Sequence, residues 1–103
     1  MEGSLSYNAA VVLQALSQGH GYGFEIMRVA ELPSGTVYPL LRRLEGSGLV
    51  TSRWEDGTDP AEEGRPLRRY YRVTAEGERS LAAARERLAR QQDRLFGGSL
   101  EPG

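Results

Sequence analysis

Residues 34–50, SGTVYPLLRRLEGSGLV, constrain the fold of this chain more than any other stretch. Val37, Leu40, Leu41 and Leu44 recur at i, i+3, i+4 and i+7, which is one face of a 3.6-residue helix. At ~100° per residue the opposite face carries Gly35, Pro39, Arg42 and Gly46, with Tyr38 and Arg43 on its flanks. Ser34 or Thr36 can accept from the unpaired amides of the first turn. Pro39 favours Thr36, because that cap leaves the proline in the first turn, where no amide bond is lost. A start at Ser34 would put Pro39 inside the helix, with a kink. Gly48 is placed to end the helix in a left-handed conformation. The outer face is small and basic, so its backbone can approach another surface closely. Arginine forks fit guanine edges and phosphates, and a tyrosine hydroxyl can donate to phosphate. A solvated surface helix would look the same on this segment alone, so the neighbouring segments carry the argument.

Those neighbours read as the other parts of a winged helix-turn-helix. Leu5, Ala9, Val12, Leu13 and Leu16 mark a first helix over about 6–18, closed by Gly19. A short second helix over about 22–30 offers Phe24, Ile26, Met27 and Ala30 as apolar positions. Leu32 and Pro33 then turn into the third. Residues 49–55 and 67–73 read as two strands joined by a loop over 56–66 rich in Gly, Pro, Asp and Glu. In the second strand Arg69, Tyr71 and Val73 share one face, and Arg68, Tyr70 and Arg72 the other. Trp54 is expected to anchor this wing against the body. Of Tyr70 and Tyr71, one is expected in the core and the other on the surface.

Thr74 is expected to cap a last helix over about 75–96. Glu76 and Glu78 near its start and Arg90 and Arg94 near its end suit the helix dipole, and Glu86 with Arg90 makes an i,i+4 pair. Leu81, Leu88 and Leu95 repeat every seven residues, with Ala84 and Gln91 between them. A single leucine row on an otherwise polar helix calls for a partner helix. A homodimer is therefore expected through Leu81, Ala84, Leu88, Gln91 and Leu95, helped by Tyr7 and Val11 of the first helix. The alternative is packing within one chain. The domain reading is a winged helix-turn-helix over 1–73, a dimerisation helix over 74–96 and a disordered tail over 97–103. The fold class is mostly α with a β-hairpin.

Composition narrows the functional classes. Hydrophobic content of 39% and charge of 26% are ordinary for a soluble domain. No apolar run approaches the ~20 residues of a membrane span and no secretory signal is visible, so no membrane partner and a cytoplasmic setting are expected. Cysteine is absent, and a single histidine, His20, makes a zinc site or a catalytic triad improbable. Glu62 and Glu63 have no acid–base partner in view, and GHGYG lacks the strand context of a phosphate loop. No enzyme, metal or cofactor is expected. The net charge of −1 does not advertise nucleic acid. Its distribution says more: all thirteen basic residues are arginine, and the wing region holds Arg53, Arg65, Arg68, Arg69 and Arg72 against Glu55, Asp56, Asp59, Glu62 and Glu63. Binding to DNA would then rest on local geometry, not on a global basic field.

The ordered combination of LQALSQGHGYGFEI, LPSGTVYPLLRRLEGSGLV, Arg53-Trp54 and GRPLRRYYRVTAEG resembles the PadR-like transcriptional regulators, over about residues 11–95. The length resembles the short branch with one C-terminal helix. The resemblance implies a dimeric winged-helix protein that binds double-stranded DNA, usually a repressor and in some members released by a small molecule. It implies a DNA-facing set of Ser34, Thr36, Tyr38, Pro39, Arg42 and Arg43 on the third helix, and Arg65, Arg68 and Arg69 in the wing. The chain departs from the pattern in its short second helix and its long acidic wing loop. Its last helix has no tryptophan, so the drug-stacking mode of some short members is not carried over. The rival reading is a winged-helix module that binds protein and has abandoned DNA.

Overall fold

The computed structural model describes residues 5–56, 64 and 66–97. The wing arginine Arg65, most of the acidic loop and the tail beyond Gly97 lie outside the described residues, and with them the expectation of a disordered tail. The element order is α1 (Tyr7–Ser17), α2 (Gly23–Ala30), α3 (Ser34–Gly46), β1 (Val50–Trp54), β2 (Arg69–Val73) and α4 (Ala75–Leu95). This is the expected winged helix: three short helices, a two-stranded hairpin and a long last helix.

Local chemistry sets most of these boundaries. Ser6 caps α1 by accepting from the Ala9 amide at 3.1 Å. Beyond its end, Gly19 N–H donates to Leu16 and His20 N–H to Ala15, the paired bonds of a Schellman motif. The same motif ends α3, where Gly48 (φ +78°) donates to Glu45 and Leu49 to Leu44, both at 3.0 Å. Thr74 caps α4 by accepting from Gly77 N–H at 3.0 Å, while its own hydroxyl donates to the Gly48 carbonyl at 2.8 Å. The cap of the last helix is thus tied to the end of the third. Glu86 and Arg90 form their i,i+4 pair at 3.8 Å.

The start of α3 corrects the sequence reading. The helix begins at Ser34 with Pro33 in the cap position and no side-chain cap bond, so Thr36 is not the cap. Thr36 and Val37 instead donate to the Pro33 carbonyl. Pro39 therefore lies inside the helix, where it deprives the Gly35 carbonyl of its i+4 donor. Gly35 itself is exposed. Glu31, in the left-handed region at φ 58°, turns the chain from α2 into α3.

One core joins all the helices. Val12 and Leu13 of α1, Ile26 of α2, Val37 and Leu41 of α3, Val50 of β1 and Leu81 and Ala84 of α4 are buried together. Full burial of each large aliphatic side chain is worth ~1.5–3 kcal/mol. Phe24 does not join them and is 66% exposed, since it falls on the outer side of α2. The leucine row of α4 divides. Leu81 and Ala84 lie in the chain's own core, which corrects their expected place in a dimer interface, and Leu88 packs partly against that core. From Ala89 to Gly97 every residue is exposed. The first half of α4 is clasped antiparallel to α1: Arg87 donates to the Leu5 carbonyl, Arg85 to Gln14, and Ser17 to Glu78 at 3.2 Å.

Gly77 makes the junction between α4 and the hairpin possible. A Cβ there would fall on the Leu49 carbonyl oxygen and 2.7 Å from Val73 Cγ1. Thr74 N–H donates to that same Leu49 carbonyl at 3.0 Å, so the backbone of α3's exit and the first turn of α4 are in direct contact.

Candidate nucleic-acid interface

The surface of α3 away from the core is continuous and sparsely furnished. Ser34, Gly35, Arg42 and Gly46 are exposed along it, with Thr36 and Pro39 partly covered. The two flanks differ. Tyr38 lies on the side of α2 and the wing, and its ring is laid against Gly23, where any Cβ would collide with it. Arg43 is exposed on the other flank, in a shallow concavity bordered by Leu5 and Ser6 before and at the cap of α1 and by Glu76 and Ser80 of α4. The structure therefore separates Arg43 from the wing, while Tyr38 and Arg42 lie between α3 and it.

The wing is an antiparallel pair of strands with Val50 opposite Val73, Ser52 opposite Tyr71 and Trp54 opposite Arg69. Its inner face changes character along its length. Val50 is buried in the core and Val73 packs against it. Next, Ser52 donates to Glu45 of α3 at 2.6 Å and accepts from Arg69 Nε at 3.0 Å, with Arg69 Nη2 3.7 Å from the Glu45 carboxylate. This braces the hairpin against α3. Burial pushes the Tyr71 hydroxyl above its ordinary pKa, with Arg69 opposing the shift, so it remains a proton donor at neutral pH.

A second brace comes from the turn before α2. Gly21 accepts from Tyr71 N–H at 2.7 Å, and Tyr22 bridges Tyr70 as a third, one-residue strand. The Tyr22 and Tyr70 rings meet edge-on at 5.7 Å between centroids. Arginines cover both: Arg53 lies 5.5 Å from the Tyr70 centroid and Arg68 4.3 Å from that of Tyr22. Both tyrosines of the second strand are half-buried, but only Tyr71 packs against the core, so the expected division into one core and one surface tyrosine holds in part. Trp54 is not the anchor of the wing. It is 54% exposed, with Arg69 5.1 Å from its ring, because the Glu45–Ser52–Arg69 brace and the Tyr22–Tyr70 contact hold the hairpin instead.

Arg68 falls just before β2, not within it, and still pairs with the other strand's end: its amide donates to Glu55 Oε1 at 3.0 Å, and its carbonyl accepts from Glu55 N–H at 2.8 Å. Of the expected DNA-facing residues, α3 and the wing root bring together Tyr38, Arg68 and Arg69. Glu45, Ser52, Tyr22 and Gly23 were not singled out from the sequence. Their roles arise between segments far apart in the chain, and no local pattern marks them. His20 ends 3.4 Å from Glu25, on the far side of the α1–α2 turn. Among the described residues no three His, Cys, Asp or Glu side chains are grouped to hold a metal, and no helix is long and apolar enough to cross a membrane.

The fold is shared with solved regulators. A transcriptional regulator from Clostridium thermocellum superposes with a TM-score of 0.76 at 24% identity, covering 88% of each chain. PcaV from Streptomyces coelicolor, whose structure holds its natural ligand, gives a TM-score of 0.77 at 21% identity over 92% of this chain and 63% of that one. A PadR family regulator from Eggerthella lenta is 33% identical over 91% of this chain and 84% of that one, with a TM-score of 0.65. No curated protein matches the chain. The family model of the PadR-like transcriptional regulators matches residues 12–83, from the middle of α1 through the hairpin into the core-facing half of α4. This family regulates transcription and is not a family of enzymes. With its winged-helix fold, and with that match running through every element that builds the α3–wing surface, the chain belongs to the PadR-like family of transcriptional regulators.

Proposed function

We propose that the chain is a cytoplasmic, homodimeric repressor that reads a pseudopalindromic operator. The observation that carries this reading is the exposed line of Ser34, Gly35 and Arg42 on an α3 held rigidly to its wing by Glu45, Ser52 and Arg69. Small residues admit the helix to a major groove, and Arg42 supplies the fork for a guanine edge. Ser34, Thr36 and Tyr38 reach phosphates or bases beside it, Arg43 the backbone on the far flank, and Arg65 and Arg68 the backbone near the wing. Two copies would sit about one helical turn, ~34 Å, apart.

The dimer is supported by the end of α4. Tyr7, Leu88, Gln91, Leu95 and Phe96 border one concave surface, and Tyr7, Leu95 and Phe96 are among the few large apolar side chains left exposed. Val11 is half-buried beside this surface on α1. The partner is a second copy of the same helix, which would cover this exposed apolar end. A small-molecule effector is part of the proposal; the ligand held by PcaV in the same fold is its precedent.

Arg42→Ala is expected to cost about 1–3 kcal/mol in operator binding and to relax specificity at one base pair. Arg69→Ala should weaken binding to all sequences alike. A flatter dependence on salt would place its guanidinium on a phosphate; an unchanged slope would make it a brace of the wing only. A gel shift with the upstream region of the chain's own gene tests the whole reading, because regulators of this kind often control adjacent genes. Equal affinity for that fragment and a scrambled one sinks specific recognition. No shift even at low salt, in line with the net charge of −1, would favour a winged-helix module that binds protein instead.

A further inference from the structure

The two edges of the wing differ. Glu55 N–H donates to the Arg68 carbonyl at 2.8 Å and Thr74 N–H to that of Leu49 at 3.0 Å, which fixes the residues that exchange bonds across the strands. Antiparallel pairing alternates, so Thr51 and Arg53 turn their backbone groups toward β2, while Val50, Ser52 and Trp54 turn theirs outward. The same alternation sends Tyr71 N–H outward from β2, where the Gly21 carbonyl receives it at 2.7 Å. The turn before α2 thus covers the β2 edge. Among the described residues no backbone group pairs with the β1 edge. Val50 is buried, so the open part runs from Ser52 to Trp54, a row of backbone donors and acceptors that another strand can meet.

The face beside that edge is cationic. Side chains alternate along β1, so Ser52 turns toward Glu45 of α3 while Thr51 and Arg53 turn to the opposite face, with Tyr70 and Arg72 of β2. These residues line a shallow concavity of about 280 Å³. Thr51, Arg53 and Arg72 are exposed there, and Arg53 rests 5.5 Å from the centroid of the Tyr70 ring, which holds its guanidinium over the sheet. Arg69, on the inner face, is shared with Glu45 and Ser52. By contrast, neither Arg53 nor Arg72 has a carboxylate partner among the described residues.

We propose that the β1 edge receives an extended acidic peptide segment of a partner protein, added antiparallel as a further strand of the wing. Ser52 and Trp54 would each exchange a pair of backbone bonds with it, and every second side chain of the segment would fall on the cationic face. A carboxylate there lies directly beside Arg53, and a second meets Arg72 reaching across the short Thr51. A basic segment would face two guanidinium groups with nothing to offset them. The other side chains of the segment would fall on the side of Ser52 and Trp54 and need no charge. The cationic face is turned away from α3 and uses none of the residues assigned to DNA above, so the inference does not depend on the proposed function.

The test titrates the full ¹⁵N-labelled chain, without DNA, with a short peptide of alternating threonine and glutamate blocked at both ends. Saturable amide shifts centred on Ser52 and Trp54 are the expected result. Methylating the threonine nitrogens removes the donors that would face β1 and leaves the charge unchanged; it should abolish the shifts. Lysine in place of glutamate should weaken binding at least about tenfold. The double variant Arg53→Gln/Arg72→Gln should weaken the acidic peptide about fivefold, the scale of two cross-strand charge pairs. Both arginines are exposed, so the core is not at risk. Arg79→Gln/Arg90→Gln on α4 removes the same charge from another surface and should leave the titration unchanged. Absence of shifts up to millimolar peptide, equal binding of the methylated or the lysine peptide, or indifference to Arg53→Gln/Arg72→Gln overturns the site. Shifts confined to Arg42 and Arg43 of α3 also overturn it, because the peptide would then act only as a polyanion on the DNA-facing helix.

Discussion

Gly77→Ala should lower the stability of the chain by up to about 3 kcal/mol, although alanine is the better helix former. The new methyl would enter the space of the Leu49 carbonyl oxygen and of Val73 Cγ1, which lies 2.7 Å from the Cβ position. Neither neighbour can yield easily. The Leu49 carbonyl accepts from Thr74 N–H, and Val73 is paired with Val50 in the hairpin. To admit the methyl, α4 must move away from the exit of α3, which strains the cap that Thr74 makes to Gly77 and its bond to Gly48. For a domain of this size such a loss moves the melting temperature by more than ~10 °C. Thermal or urea unfolding of the purified variant measures it. A melting temperature equal to or above that of the parent chain would show that the junction is slack.

The second large effect is expected on function and not on the protomer's fold. For the proposed dimer, Leu95→Glu is expected to give a monomer by light scattering beside a dimeric parent chain measured at the same concentration. Leu95 is 77% exposed, so its replacement removes nothing from the protomer's own core. Leu88 is a less clean position, since it packs partly against that core and a charge there would disturb both. Operator binding should fall by about 10²–10⁴, because two linked half-site contacts become two separate ones. Contacts within one half-site would remain, so weak binding with a reduced salt slope is the expected residue. A Leu95→Glu chain that stays dimeric and keeps full affinity would remove the apolar end of α4 from the interface.

The local parts of this fold are legible in the sequence. The apolar faces of α1 and α3 follow from spacing alone, and Val37, Leu40, Leu41 and Leu44 are all buried. Gly19 and Gly48 end their helices, and Thr74 starts the last one, because caps depend on amides and carbonyls within five residues of one another. The family resemblance is confirmed over residues 12–83.

The sequence reading falls short where a side chain has two possible partners at different distances along the chain. The seven-residue row of α4 does not say which leucines meet α1 and which meet another molecule. The structure shows Leu81 and Ala84 inward and Leu95 outward, since α1 is only long enough to cover the first half of α4. Trp54 looks like an anchor by size, yet the hairpin is held by a serine, a glutamate and an arginine, and by two tyrosines almost fifty residues apart. Pro39 argued for a start at Thr36 on helix propensity, yet the helix starts two residues earlier, and the amide that Pro39 lacks costs it only the bond to the Gly35 carbonyl.

By itself the sequence determined the elements, their order and the exposed basic line of α3, because each depends on periodicity, capping and turn chemistry over a few residues. Only the tertiary structure decided which surface those elements build together. The seating of Tyr38 on Gly23, the brace from Glu45 to Arg69 and the contact of Tyr22 with Tyr70 all join residues whose proximity exists only once the core has closed.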